Sequence, residues 1–184
     1  MRMLREMIMS GFGGQGALLI GQVLAIAGTV ENLNAIWRPT YGPEKRGGTA
    51  YCDVILSDEI IGSPIVDEPE IVIAMDEHSF RQFEPVIVPG GLMLCNSSLC
   101  TSAPGREDIR YLPVPAGELA HQMGADKAAN MVLLGALLAA EPLVSDQAVE
   151  AGLREKLGGS KAKLIASNLK AIELGKTCAA KPAQ

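Results

Sequence analysis

The sequence predicts an α/β protein, a three-layer α/β/α Rossmann-like domain around a mostly parallel mixed sheet with a hairpin and a helical C-terminal third. Three observations carry that expectation. Short runs such as "EIVIAM" and "GGLMLCN" are apolar throughout, as strands covered on both faces are. Such runs alternate with segments of helical spacing over the first two thirds, and the last third is helical in pattern. At 184 residues, 48% hydrophobic and 20% charged, the chain has the composition of one globular domain. That domain is placed at residues 1–176, with a frayed tail over 177–184.

Each element follows from its local pattern. Residues 5–10 read as a first strand, and Gly16 to Thr29 as a helix with Leu18, Leu19, Gln22, Val23 and Ile26 near helical spacing. A short strand is expected at Asn34 to Arg38. Pro39, Gly42, Pro43, Gly47 and Gly48 then predict a long irregular loop. Thr49 to Leu56 alternates, Ser57-Asp58 offers a turn, and Glu59 to Gly62 is expected to return as the second arm of a hairpin. Strands follow at Glu70 to Met75, Gly90 to Asn96 and Ile109 to Pro115. Asp76 is expected to cap a short helix, and Glu77 to be its first-turn acid. Helices are expected at Ala116 to Met123 and Lys127 to Ala140, with two more opening near Ser145 and Ser160.

Charge and composition exclude several function classes. The net charge of −5 leaves no basic face for nucleic acid. The longest apolar stretch, Met131 to Ala140, is ten residues, against the roughly 18 to 20 that span a bilayer. No signal-peptide pattern follows Arg2 and Arg5, so a cytoplasmic chain is expected. Cys52, Cys95, Cys100 and Cys178 have no C-x-x-C spacing, and His78 and His121 are the only histidines. No metal or cluster site is expected from these scattered ligands. His78 reads as a surface residue at a helix start, and no catalytic residue is assigned.

Gly11, Gly13 and Gly16 in "SGFGGQGALLIG" match G-x-G-x-x-G between a strand and a helix. Glycines there let an anion approach the backbone, and the helix N-terminus offers N–H groups and a positive dipole end. A dinucleotide site also needs an acidic residue about 20 positions on. The sequence has Ile36, Trp37, Arg38 and Pro39 instead, with Arg38 as a partner only for a 2′-phosphate. A self-contained NADP- or flavin-binding oxidoreductase therefore stays open, as does a turn with no ligand. In "RPTYGPEKRGGTAYCDV", Lys45 and Arg46 beside Gly47 and Gly48 suit a phosphate or carboxylate through charge-assisted hydrogen bonds. A solvated charged loop is the alternative.

Together, "GFGGQG", "PTYGPEKRGGTAYCDVILSDEIIGSP" and "KAANMVLLGAL" resemble the gamma subunit of 2-oxoacid:ferredoxin oxidoreductases, also known as the gamma domain of the pyruvate/ketoisovalerate type. The resemblance runs from Met7 to about Leu174. It implies a subunit of an enzyme that converts a 2-oxoacid, here expected to be 2-oxoglutarate, to acyl-CoA, CO2 and reduced ferredoxin. Thiamine diphosphate, Mg and 4Fe-4S clusters are expected on the partner alpha and beta subunits, with a delta subunit as a further candidate. Ferredoxin would be met indirectly. Coenzyme A is expected at a shared site formed by Gly11, Gly13, Gly14, Gln15, Gly16, Lys45, Arg46, Gly47 and Gly48. Tyr41, Glu44 and Asn130 are interface candidates, with Asn130 read first as a helix cap. A non-catalytic assembly module is a third reading. Alone, the chain is expected to be inactive and to form a homodimer.

Overall fold

Side-chain alternation builds the first strand, β1 (Leu4–Phe12), which sends Met7 and Met9 to one face of the sheet and Ile8 to the other. In the computed structural model, which describes residues 3–42 and 48–180, a glycine turn leads from β1 into α1 (Ala17–Val30). Next come β2 (Asn34–Tyr41), β3 (Thr49–Ser57) and β4 (Ile71–Ala74). The short helix α2 (Glu77–Phe83), β5 (Leu92–Asn96) and β6 (Arg110–Val114) follow. Four helices complete the chain: α3 (Ala116–Gln122), α4 (Ala129–Ala140), α5 (Asp146–Lys156) and α6 (Ile165–Ala179).

The six strands form one sheet in the order β2-β3-β1-β4-β5-β6. β1, β4, β5 and β6 pair in parallel, whereas β3 is antiparallel to both β1 and β2. Helices α1, α3, α4, α5 and α6 cover one face over the larger core, and α2 with its flanking loops covers the other over Phe80, Phe83 and Ile87. The expected three layers are present, with one outer layer much thinner.

Three sequence expectations need correction. Glu59 to Gly62 is not a strand, and the hairpin partner of β3 is β2 in register from Asn34 opposite Ser57 to Tyr41 opposite Ala50. Pro39 does not end β2. The Gly42 amide bonds the Thr49 carbonyl, so in this antiparallel register Arg38 and Thr40 face β3 with their backbone groups while Pro39 faces the free edge, where no N–H is needed. The third correction concerns the tail: α6 runs to Ala179, so residues 177–179 are helical, and residues 181–184 lie outside the described residues.

Small residues set how closely the helices approach. A Cβ added at Gly21 would fall 2.5 Å from the Cys52 Sγ and 2.9 Å from Trp37, which lets α1 lie against the sheet. Burial pushes the Cys52 thiol up to about 12, and the half-buried Trp37 belongs to the packing around it. Asp76 caps α2 by accepting from the Ser79 amide at 2.9 Å, and the Ser145 hydroxyl does the same for α5 at 3.3 Å from Ala148 N. No helix among the described residues is long and apolar enough to cross a membrane.

Candidate functional site

The chain leaves β1 toward the β2 side of the sheet, and β4, β5 and β6 are laid down on the other side. Between the carboxyl ends of β1 and β4 the connections therefore diverge, and ligands of open α/β sheets bind at such crevices. The glycine turn sits there. Gly14 and Gly16 have φ of 102° and 90°, in the left-handed region where a side chain is strained. Gln15, which dinucleotide binding leaves without a role, folds back so that its Oε1 accepts from the Phe12 amide at 2.6 Å. That oxygen would lie 2.6 Å from a Cβ at Gly11, so Gly11 and Gln15 form one packed unit.

The second glycine cluster meets the first. Gly13 donates its amide to the Gly48 carbonyl at 3.0 Å, and Gly42 donates to Thr49 at 2.7 Å. Glu44, Lys45, Arg46 and Gly47 lie outside the described residues, and Gly42 and Gly48 are the described residues that flank them. Asn130 is 3% exposed and donates from Nδ2 to the Gly16 carbonyl at 3.3 Å. It does not cap its helix, whose N-cap is Ala128 without a side-chain bond, and its burial takes it out of the chain's exposed surface.

Two clefts flank the turn. One, of about 390 Å³, is lined by Phe12, Gly13, Gly14, Leu18 and Tyr41. The other, of about 320 Å³, lies over the crevice between Gly14 and Gln15 on one side and Met75, Asn96, Leu99 and Lys127 on the others. Asn96 shapes that wall: it is 2% exposed, donates to the Met75 carbonyl and accepts from the Ser98 and Gly117 amides at 3.3 Å. The amides of Ala17 and Leu18 open α1 without intrahelical acceptors and carry the positive end of its dipole. The arrangement can take an anionic group at the turn and a slender, mainly apolar chain in the adjoining cleft.

Sequence reasoning singled out the turn but missed Met75, Asn96, Leu99 and the Asp126–Lys127 stretch as cleft walls. The signal was positional: Met75 follows β4 and Asn96 ends β5, the two buried apolar strands next in order after β1 on that side of the sheet. Glu77, expected only as a first-turn acid, also gathers a loop. Hydrogen bonds from Ser102, Arg81 and the Thr101 amide hold its carboxyl at about 2, well below the ordinary value. His78 is exposed at the start of α2. Among the described residues, no group of His, Cys, Asp and Glu could hold a metal ion, and all four cysteines are free thiols.

The geometry also bears on dinucleotide binding. β3 is inserted between β1 and β2, so β2 is not the strand that pairs with β1 as it is in a dinucleotide fold. Arg38 is engaged as well, with its Nε 2.8 Å from Asp53 Oδ2. Asp53 is 1% exposed, and burial pushes its carboxyl up while Arg38 pulls it back.

Comparison with known proteins agrees with this fold. A family model described as "Pyruvate ferredoxin/flavodoxin oxidoreductase" matches residues 6–178. Ketoisovalerate oxidoreductase subunit VorA of Methanothermobacter thermautotrophicus is 38% identical over 169 residues, covering 90% of this chain and 34% of VorA. The chain thus spans about a third of that relative's length. The 2-oxoglutarate synthase subunit KorC of Methanocaldococcus jannaschii is 31% identical over 179 residues, 95% of this chain and 96% of KorC. Among solved structures, the gamma subunit of a keto/oxoacid ferredoxin oxidoreductase from Geobacter sulfurreducens superposes with a TM-score of 0.81 at 27% identity, covering 95% of this chain and 98% of that one. The 2-oxoglutarate:ferredoxin oxidoreductase from Magnetococcus marinus, solved with 2-oxoglutarate, coenzyme A and succinyl-CoA bound, reaches 0.86 at 26% identity over 96% of this chain and 31% of that chain. The chain belongs to the pyruvate ferredoxin/flavodoxin oxidoreductase family and has the fold of its gamma subunits.

Proposed function

We propose that this chain is the gamma part of a 2-oxoacid:ferredoxin oxidoreductase and contributes its glycine turn to a coenzyme A site shared with partner chains. The observation that carries the reading is the Gly13–Gly48 hydrogen bond, which joins the glycine turn at the β1–β4 crevice to the residue just before β3 on the other side of β1. Backbone amides at the start of α1 and the cations Lys45 and Arg46 suit the phosphates of coenzyme A, and the 320 Å³ cleft suits its pantetheine arm. Support comes from the Magnetococcus marinus enzyme, whose structure contains coenzyme A and succinyl-CoA.

The remaining chemistry is assigned to other chains. Thiamine diphosphate, Mg and 4Fe-4S clusters would belong to alpha and beta subunits, which would also meet ferredoxin. This chain's part is to bind and orient the acyl acceptor and to close its face of the site. Tyr41, 67% exposed at the end of β2, and Phe12, 41% exposed at the end of β1, are the apolar groups proposed to meet those partners.

For the 2-oxoacid, 2-oxoglutarate remains the reading suggested by the full-length match to KorC. The 38% identity to VorA favours a second, ketoisovalerate. The deciding experiment is co-expression with the partner subunits and assay of acceptor reduction with each 2-oxoacid. The proposal requires activity that depends on both this chain and coenzyme A. Full activity in a complex lacking this chain would overturn it.

A further inference from the structure

Asn130 is a buried amide inside an apolar helix, and nothing in the proposed function uses it. Of the twelve residues of α4, nine are buried and Asn130 is the one polar side chain among those nine. Its Nδ2 bonds the Gly16 carbonyl, which also accepts the Leu19 and Ile20 amides at 3.1 and 3.2 Å. Gly16 is held to a left-handed φ of 90°, and a Cβ there would lie 2.3 Å from the Asn130 Nδ2. The side chain therefore occupies the space that only a glycine leaves empty.

The two segments joined by this bond are opposite walls of one cleft. Gly14 and Gln15, just before Gly16, line one side of the 320 Å³ cleft, and Asp126, Lys127 and Ala129, just before Asn130, line the other. The Asp126–Lys127 stretch also separates this cleft from one of about 510 Å³ walled by Leu19, Leu157 and Leu164. We infer that Asn130 is a positioning residue: its hydrogen bond clamps the glycine turn to the start of α4 and so fixes the width of the cleft between them. One wall is a glycine turn, and the other is a single 3-10 turn, Asp126–Ala128, that runs from Gly124 (φ 71°) into α4.

The clamp is a property of this chain alone, and only its effect on coenzyme A rests on the function proposed above. Two variants test it on the full chain by amide hydrogen exchange. Asn130→Asp keeps the shape and loses the amide donor when its carboxyl is ionised, and Asn130→Leu keeps the bulk and loses all polarity. Both are expected to speed exchange at the hydrogen-bonded amides of the turn, Gly13, Gln15, Leu19 and Ile20, by about tenfold or more, the loss of one buried hydrogen bond, while amides of β4 and β5 keep their rates. A role confined to packing would instead move all amides together. Uniform acceleration, or an unchanged turn in Asn130→Leu, would overturn the clamp. In the assembled complex the same variants are expected to raise the KM for coenzyme A with kcat little changed. A loosened turn with an unchanged KM would leave the clamp standing and count against the coenzyme A reading.

Discussion

The amide of Gly13 donates to the carbonyl of Gly48 at 3.0 Å, tying the glycine turn after β1 to the start of β3. Gly42 donates to Thr49, so the two described residues that flank the Lys45–Arg46 segment are both held at the start of β3. In the assembled complex, Lys45→Ala and Arg46→Ala are each expected to raise the KM for coenzyme A by about tenfold, the scale of one desolvated charge-assisted contact. The rate at saturating coenzyme A should change little. Steady-state kinetics at varied coenzyme A concentration checks this, and an unchanged KM in an intact complex would point to an interface role for the segment.

Backbone contact between α4 and α6 gives a stability prediction. A Cβ at Gly135 would fall 1.9 Å from the Ile172 carbonyl oxygen, and one at Gly175 would fall 1.9 Å from that of Val132. The obstacle is backbone in both cases, so no side chain can swing aside. Gly135→Ala is expected to destabilise the chain by about 3 kcal/mol or more, at the upper end of overpacking costs. Denaturant unfolding measures it, and a loss under about 1 kcal/mol would mean that the helices can part cheaply.

Glu77 supplies a pH dependence. Its carboxyl is held at about 2 against an ordinary 4.5, first by Ser102, then by Arg81 and the Thr101 amide. A depressed carboxylate adds stability that is fully present above its unfolded pKa and is lost as pH falls toward the native one. The window therefore runs from about 4.5 down to about 2. Glu77→Gln should lower the Tm near neutral pH and flatten its fall across that window. Thermal melts at stepped pH decide it, and an equal slope in variant and parent would contradict the assignment.

Exposed apolar groups cluster near the proposed site: Phe12 at 41%, Tyr41 at 67% and Leu99 at 50%. Without partner chains this surface seeks other cover. The chain alone is expected to dimerise, with Tyr41→Ser weakening the association. Light scattering over a concentration series that gives only the monomer mass would refute this. Strand pairing through β2 is a poor route, because Pro39 faces its free edge without a donor.

Much of this fold was legible because buried strands announce themselves. "EIVIAM" and "GGLMLCN" contain β4 and β5, and Ser145 marks the start of α5 as a hydroxyl cap should. Two local rules misled. Proline was read as a loop signal at Pro39, yet an edge position tolerates it, and Ser57-Asp58 was read as a hairpin turn although β3 takes β2 as its partner. Pairing is a long-range choice that turn residues do not encode. At the site, the glycines were visible through their spacing. Met75, Asn96 and Lys127 were not, because the topology, rather than any motif, brings strand ends and the start of α4 together. Asn130 was legible as an odd polar residue in an apolar helix, but its bond to Gly16 crosses most of the chain.

The central claim is that coenzyme A approaches the backbone of the glycine turn, and Gly13 tests it most directly. A Cβ at Gly13 meets only the Gly48 oxygen, at 3.8 Å among the described residues, so Gly13→Ala removes approach space without forcing a clash there. The measurement is the KM for coenzyme A of the assembled complex carrying Gly13→Ala, with its melting temperature as the control for folding. The account predicts a KM raised about tenfold or more, the equivalent of about 1.4 kcal/mol, with an unchanged melting temperature. A parental KM in a folded, assembled complex would contradict it.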